Sequence, residues 1–519
     1  MRNVYIIFLA SNNLGIRRLV MPLGPLIVAG AIRKSPFFGR DDLVFICDTF
    51  REVLDKVGRH KNDRVYFLVS SMQLIRGVDR ETNEAVSCVK KLKSRYPKVF
   101  SCVGGPDVSL NRDDYLACFD LVFQGEIGAV DLIEVLRSGA SFFQAPPADL
   151  NAEPLDYGLL SRKKYLSGSL QTTRGCPFDC HFCNIGHIFG RGVRTLDPGV
   201  LEERLESLTK VHKGFVIFGD DSFGGGLEDK MLEYLEVIVR FQERRGFPFV
   251  FAIQTSLRTA RFPEVLRMMR AAHIVAAFIG VESPSEEALT AAHKRHNLGG
   301  PLPEQVEAFV RNGIIPYLSI ILGLDREAAD VGLRVREFLD ACRTPFLMLN
   351  LINPVIGSKF RAQAAAENRL LDHPLYFRYN LMSLKTDRPY AAIVRDYGDI
   401  LNWFFNDRRL LEYCAQIEQK TKNARSLRAQ EAFISGVSTV TILKLFALYV
   451  GICLKSGSPA GLLQMFKLIG RPKADVIYFL LIRGTALGLK GPMRKEGRKV
   501  RKGLKKLRAA GLYPYESDE

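Results

Sequence analysis

The sequence predicts an α/β protein in three parts: a parallel sheet with helices on both faces, a partial barrel of six strand–helix units, and a helical final third. Two observations carry the first two parts. Short β-branched or aromatic runs alternate with helix-like segments through residues 1–145 and again through residues 167–360. Strands alternating with helices pair in parallel, with the helices covering the sheet. The third part follows from what stops: beyond residue 360 apolar residues recur at helical spacing only. A chain of 519 residues is also too long for one ordinary core.

The first strand candidate is residues 4–9. Its early apolar run lacks the small-residue cleavage site of a secretory leader and reads as a buried strand. Residues 43–47, 65–69, 99–103 and 121–123 continue the series, each bounded by turn or polar residues. Ligands on such sheets lie beyond the carboxyl ends of the strands. The loops there are residues 70–76, 104–109 and 125–128. Their glycines permit close backbone approach. Residues 146–166 hold Pro146, Pro147 and Pro154 with few periodic apolar positions, as a connector does. The second series begins with residues 167–173 and continues with 214–219, 249–255, 275–281, 316–323 and 346–351. Helices are expected over 197–212, 227–245, 263–272, 285–293 and 302–312. Six parallel strands make an open barrel, whose site should lie at the carboxyl mouth.

One short stretch carries the chemistry. Cys176, Cys180 and Cys183 stand at Cys-x3-Cys-x2-Cys spacing directly after the 167–173 strand. Three thiols this close can turn onto one loop and hold three corners of a 4Fe–4S cube. A structural zinc loop is the alternative, but zinc takes four ligands, usually as two close pairs. His181 and His187 are candidates for a fourth ligand, yet no second cysteine pair follows nearby. The spacing therefore favours the cluster.

Composition bounds the rest. Apolar content of 47% and charged content of 25% are globular values. No stretch reaches the ~20 apolar residues of a clean membrane span. Ten cysteines in 519 residues are too sparse for a disulfide scaffold. A cluster loop also implies a reducing compartment, so the expected location is the cytoplasm. The net charge is +17, and ten Lys/Arg stand against Glu496 alone between residues 490 and 508. No zinc finger or RNA-binding signature accompanies that run, which argues against nucleic acid as partner.

Residues 172–184, Thr-Thr-Arg-Gly-Cys-Pro-Phe-Asp-Cys-His-Phe-Cys-Asn, resemble the cluster loop of radical S-adenosylmethionine (SAM) enzymes. More narrowly, residues 1–360 resemble the class with an N-terminal cobalamin-binding domain, in the subgroup of hopanoid methylases and bacteriochlorophyll side-chain methyltransferases. The resemblance implies a Rossmann-like cobalamin-binding domain over residues 1–145, a linker over 146–166, a partial (β/α)6 radical SAM barrel over 167–360 and a helical domain over 361–519. It implies that Cys176, Cys180 and Cys183 ligate iron and that the open iron chelates SAM. Cleavage of SAM to a 5′-deoxyadenosyl radical then removes hydrogen from an unactivated carbon, which methylcobalamin methylates. An electron donor such as flavodoxin or ferredoxin is expected, and a small-molecule substrate of the lipid or tetrapyrrole kind. No side chain is assigned to acid–base or nucleophilic work.

The same resemblance places candidate ligands. Residues 22–26, Gly104 and Gly105 with Pro106 and Asp107, and Gly125 with Glu126 look like cobalamin stations. The Asp-x-His-x-x-Gly motif that gives cobalt a histidine is absent, and His60 is the only histidine in residues 1–150. Cobalamin is therefore expected without a histidine ligand, with Met72, Gln73 and Leu74 near its face. Asp220 and Asp221 match the station for the amino group of SAM. Gln254, Ser256, Gly280 and Glu282 match stations for its ribose and carboxylate, and residues 320–323 and 353–358 the surroundings of adenine. Plainer roles stand beside these: Asp220 as a helix cap, Gln254 on the surface, Glu282 paired with Lys294. Arg174, Arg191 and Arg194 flank the loop, and simple surface basicity is their favoured reading.

In the final third, residues 437–454 are apolar but interrupted by Lys444 and several Ser/Thr, and core packing is expected. Residues 478–482 followed by the basic run make peripheral contact with anionic lipid a second reading. The basic run itself is expected to be a solvated tail. Two alternatives to methylation remain: a cyclase or rearranging enzyme of the same architecture, and a metal-dependent nucleic-acid-binding protein.

Overall fold

The computed structural model describes residues 2–10, 19–72, 83–371, 373–422, 439–456, 458–464 and 473–513, with the backbone alone for 422, 439–445, 456, 473–479 and 481. The chain divides into two compact units. One comprises residues 1–177, 184–220 and 355–357; the other comprises 178–183, 221–354 and 358–519. The division runs through the cysteine loop rather than along the boundaries expected from sequence.

The first unit contains a six-stranded parallel sheet: β1 (Asn3–Ala10), β2 (Leu43–Cys47), β3 (Arg64–Ser71), β4 (Phe100–Gly104), β5 (Leu121–Gln124) and β6 (Phe142–Gln144). Their order is β2-β1-β3-β4-β5-β6. Alternation along β1 shows why the strand reads as wholly apolar. Val4, Ile6 and Phe8 enter one core, whereas Tyr5 and Ile7 enter the other. Helices Leu23–Lys34, Phe50–Arg59, Glu84–Arg95, Val108–Leu116 and Leu132–Arg137 connect the strands. Several begin at side-chain caps, as where Thr49 accepts from the Glu52 amide and Asp131 from the Glu134 amide. The edge strand β6 is three residues long and was not expected.

The expected strand over 167–173 is interrupted. β7 (Gly168–Leu170) pairs in parallel with β10 (Gly214–Phe218), whereas β8 (Thr173–Arg174) turns away to pair antiparallel with β9 (Arg194–Thr195). The cause is Asp220. Its Oδ1 accepts from the Thr172 amide at 2.9 Å and from the Thr173 amide, so neither donor is free for the ladder.

The second unit holds β11 (Phe249–Ser256), β12 (Ile274–Glu282), β13 (Ile315–Leu322) and β14 (Phe346–Leu351), parallel and in the order β14-β13-β12-β11. All six expected strands of the second series thus form, β7 and β10 in one unit and these four in the other. Helix Val331–Cys342, between β13 and β14, escaped the sequence reading.

The described residues beyond 360 are mainly helical, as expected. Helices Tyr390–Phe404, Asp407–Lys422, Thr439–Ser456, Pro459–Leu463 and Lys473–Ala509 dominate. The basic run is not a solvated tail, which corrects the sequence reading. It lies in the 37-residue helix Lys473–Ala509. Val500 and Leu507 are fully buried, and Lys490 pairs with Asp407 at 2.5 Å. Apolar residues recurring every three to four positions among the cations give that helix a face to bury. No described helix is long and apolar enough to cross a membrane.

Candidate active site around the cysteine loop

All ten cysteines lie among the described residues, and all are thiols. Cys47, Cys88, Cys102, Cys342, Cys414 and Cys453 are buried, Cys118, Cys176 and Cys180 are half-buried, and Cys183 is exposed. Burial pushes the thiols of Cys47 and Cys102 up to about 12, which keeps them protonated. Spacing sets the loop thiols apart, and Cys183 is also the most accessible of the ten. Among the described residues, no group of three or more His, Cys, Asp or Glu converges on a site for a single metal ion.

In the first unit the flanks of the loop are fastened by buried charge. Arg174 and Arg194 face each other across the β8–β9 pair. Arg174 donates to Glu126 at 2.8 Å and to Glu153 at 2.7 Å, and Arg194 makes a forked pair with Glu126 at 2.7 and 2.6 Å. The Ala148 amide adds a bond to Glu126 at 3.0 Å. Burial raises the pKa of Glu126, but the two guanidiniums and the amide outweigh it and hold the carboxyl below its usual range. Arg174 is 7% exposed, so surface basicity does not describe it. Glu153, in the expected linker, has no motif around it and was missed from sequence.

Asp220 is fully buried. Besides the two amides, its Oδ1 accepts from the hydroxyls of Thr172 and Thr173, each at 2.7 Å. Burial lifts its pKa to about 6 despite these bonds. Asp220 therefore fixes the entry to the loop from within. Asp221 is half-buried in the second unit.

The second unit grips the loop from the segment following helix Glu286–Ala291. The His181 amide donates to the Ala292 carbonyl at 3.0 Å, and the His181 carbonyl accepts from Phe360 at 2.9 Å. The His181 ring stacks on His293 with centroids 4.5 Å apart, and Phe178 stacks on His296 at 3.9 Å. Burial lowers His296 to about 3, so that ring is neutral at physiological pH. Lys359 pairs with Asp179 at 2.7 Å. Between the two stacks lies Lys294, whose ammonium donates to Glu282 at 3.0 Å. Their side chains are 10% and 8% exposed.

The other strand-end candidates fall as follows. Gln254 is exposed on β11, and Ser256, the last residue of that strand, is buried. Gly280 leaves room for the ion pair beside it, because a Cβ there would come within 2.5 Å of Glu282 Oε1 and 3.0 Å of Lys294 Nζ. In the first unit Met72 follows β3 and is 51% exposed, while Gln73 and Leu74 lie outside the described residues. Gly104 ends β4. Gly105 and Gly125 have φ of +102° and +103°, and their Cβ positions would meet the carbonyls of Ser71 and Ala145. Both glycines are therefore required by the protein's own backbone. Asp107 is buried among Ser71, Asn111 and Tyr115.

Residues 170–331 match the model of the radical SAM superfamily, a span that contains the cysteine loop and the strand ends just described. These residues are a radical SAM domain. Among characterised proteins, the hopanoid C-2 methylase of Rhodopseudomonas palustris is 34% identical over 280 residues, covering 52% of this chain and 53% of the methylase. The chain thus matches about half the length of that relative. An uncharacterized methyltransferase of Synechocystis sp. is 28% identical over 393 residues, covering 74% of this chain and 70% of its own. Among solved structures, the cobalamin-dependent radical enzyme OxsB, with aqua-cobalamin and SAM bound, superposes with a TM-score of 0.57 at 14% identity, covering 99% of this chain and 85% of OxsB. At that identity the likeness establishes the fold, which is the α/β architecture expected from sequence. The match begins at Leu170, the last residue of β7, and ends at Val331, the first residue of the helix before β14.

Proposed function

We propose that this chain is a cobalamin-dependent radical SAM C-methyltransferase. The observation that carries the reading is the loop Cys176–Cys180–Cys183, placed inside the radical SAM domain with its three thiols open to solvent or half-open. Three accessible thiols suit a 4Fe–4S cluster, since thiolates are the usual ligands of such clusters. Cys176, Cys180 and Cys183 would hold the cluster and leave it an open iron at which SAM could bind. When bound, the cluster and cobalamin supply the electron that opens SAM and the methyl group that reaches the substrate carbon.

The chain's own contribution is placement. Asp220 holds Thr172 and Thr173 so that the loop leaves β7 in one direction. Arg174 and Arg194 fasten the loop's flanks to Glu126 and Glu153. Asp220, expected as a SAM ligand, is taken up by Thr172 and Thr173, which leaves Asp221, Gln254, Ser256, Gly280 and Glu282 as the candidates for SAM. Met72, Gln73, Gly104, Gly105, Gly125 and Glu126 are the candidates for the cobalamin domain, and residues 1–145 form that domain. Cobalt receives no histidine from this domain: the His60 ring is held by Asp63 at 3.1 Å and packs against Phe45.

The substrate is a small molecule, and the hopanoid methylase relative supports a lipid over a tetrapyrrole. A reducing protein of the flavodoxin or ferredoxin kind delivers the electron in the cytoplasm. Leu448, Leu454 and Leu463 are 58–66% exposed near the cationic helix, which supports peripheral contact with an anionic membrane.

The test is anaerobic reconstitution with iron, sulfide and hydroxocobalamin, followed by metal and cobalamin analysis of the wild type and of Cys176→Ala/Cys180→Ala/Cys183→Ala. The expected result is about four irons and one cobalamin per wild-type chain, with the iron lost in the triple variant. Iron without cobalamin removes methyl transfer from the reading. One zinc and no iron removes the radical SAM reaction with it.

A further inference from the structure

Lys294 is a buried cation that no motif explains. Its neighbours put it beside the loop. His293 and His296 stack on His181 and Phe178, so the segment carrying Lys294 is fixed against residues 178–183 on both sides of the lysine. The bond from the His181 amide to the Ala292 carbonyl closes the same contact through the backbone. The opposing acid is aimed with equal care. β12 and β13 slip register between Gly280 and Glu282, and Glu282 takes a left-handed φ of +71°. A bulge re-aims a side chain, and a non-glycine residue in this region is strained. Gly280 supplies the space that the Glu282–Lys294 pair occupies.

The charges balance in Lys294's favour as a cation. Burial opposes the charge, but the Glu282 carboxylate accepts from the ammonium at 3.0 Å and offsets that cost. The segment that carries the ammonium, residues 292–296, is held on the loop residues Phe178 and His181.

We propose that Lys294, moderated by Glu282, sets the reduction potential of the iron–sulfur cluster held by the loop. The proposal rests on the radical SAM reading above. Net charge near a cluster is one of the levers on its potential, and Lys294, only 10% exposed, is a fixed charge little screened by water on its own side. Reduction adds one electron, so a nearby cation stabilises the reduced form and raises the potential. The acid beside it works in the opposite direction. A residue that only packed the loop would not produce effects of opposite sign at positions 294 and 282.

The experiment is an electron paramagnetic resonance titration with dithionite of the reconstituted full chain, comparing wild type with Lys294→Met, Lys294→Arg and Glu282→Gln, with iron counted in each sample. Lys294→Met is expected to lower the midpoint potential, Glu282→Gln to raise it, and Lys294→Arg to leave it near the wild-type value. Equal potentials in all four, or shifts of the same sign in Lys294→Met and Glu282→Gln, overturn the proposal. If Lys294→Met holds no iron, Glu282→Gln decides alone: a potential that fails to rise overturns it. A wild-type chain that takes up no cluster overturns the functional reading itself, and the iron count separates that failure from the others.

Discussion

Glu126 and Glu282 both stand at glycine-marked strand ends and both are paired with basic side chains, the first half-buried and the second buried, yet they do different things. Glu126 receives Arg174 and Arg194, which stand opposite each other on the two short strands flanking the cysteine loop. That pair of guanidiniums faces inward and is used up in fastening. Glu282 receives one lysine, whose flanking His293 and His296 stack on the loop residues His181 and Phe178. Two acids that look alike in sequence thus become a rivet and a moderator, according to what their cations meet next.

The contrast can be broken first where the charge is most deeply committed. Arg174→Ala leaves buried Glu153 without its cation, while half-buried Glu126 keeps Arg194. It should destabilise the first unit by about 3–5 kcal/mol, because removing one partner strands the other charge. Thermal unfolding measures this, and a shift below about 1 kcal/mol would mean that Glu153 finds solvent or another donor.

A smaller effect is expected at the second acid. Gly280→Ala places a Cβ against Glu282 Oε1 and Lys294 Nζ. It should cost about 1–3 kcal/mol through overpacking, with the loss appearing in the second unit. If Gly280→Ala is neutral while the glycine's neighbours keep their places, the ion pair is looser than its distances say.

Asp220 sharpens the comparison through pH. Burial lifts its folded pKa to about 6, above the unfolded value of an ordinary aspartate. The folded state therefore holds a proton that the unfolded state has lost between roughly pH 4 and 6. The stabilisation is present at the acid end of that window and falls as pH rises through about 6, by up to about 1.4 kcal/mol per pH unit. Asp220→Asn should remove that falling component from the stability–pH curve. A wild-type and variant pair with the same slope would mean that the aspartate titrates near its ordinary value.

The smallest effect is expected on the cationic helix. Lys502 is exposed, and Lys502→Gln should change stability by less than about 0.5 kcal/mol while leaving helix content unchanged by circular dichroism. A larger loss would give this stretch a folding role beyond its buried Val500 and Leu507.

Much of the fold could be read from residue order. Periodicity located the strands of both parallel series to within a residue or two, because a strand buried on both faces must be apolar throughout, as β1 is. The exceptions have local causes. The 167–173 strand breaks at Thr172 because an aspartate 48 residues away takes its amide. The three-residue strand β6 is too short to carry a pattern, and helix Val331–Cys342 went unread. The basic run was taken as a tail because its charge count hides the spaced apolar positions of its packed face.

At the site, spacing alone distinguished Cys176, Cys180 and Cys183 from the other cysteines, since three thiols within eight residues have few other uses. Glycines at strand ends were also visible, but their reason was not. Gly105 and Gly125 answer to carbonyls of Ser71 and Ala145, and Gly280 to an ion pair. Covalent order decides which residues are local neighbours, and so the loop and the strands follow from it. The partners of a buried charge are chosen only when distant segments meet and water is excluded, which is why Arg174, Glu153 and Lys294 acquired their roles only in the folded chain.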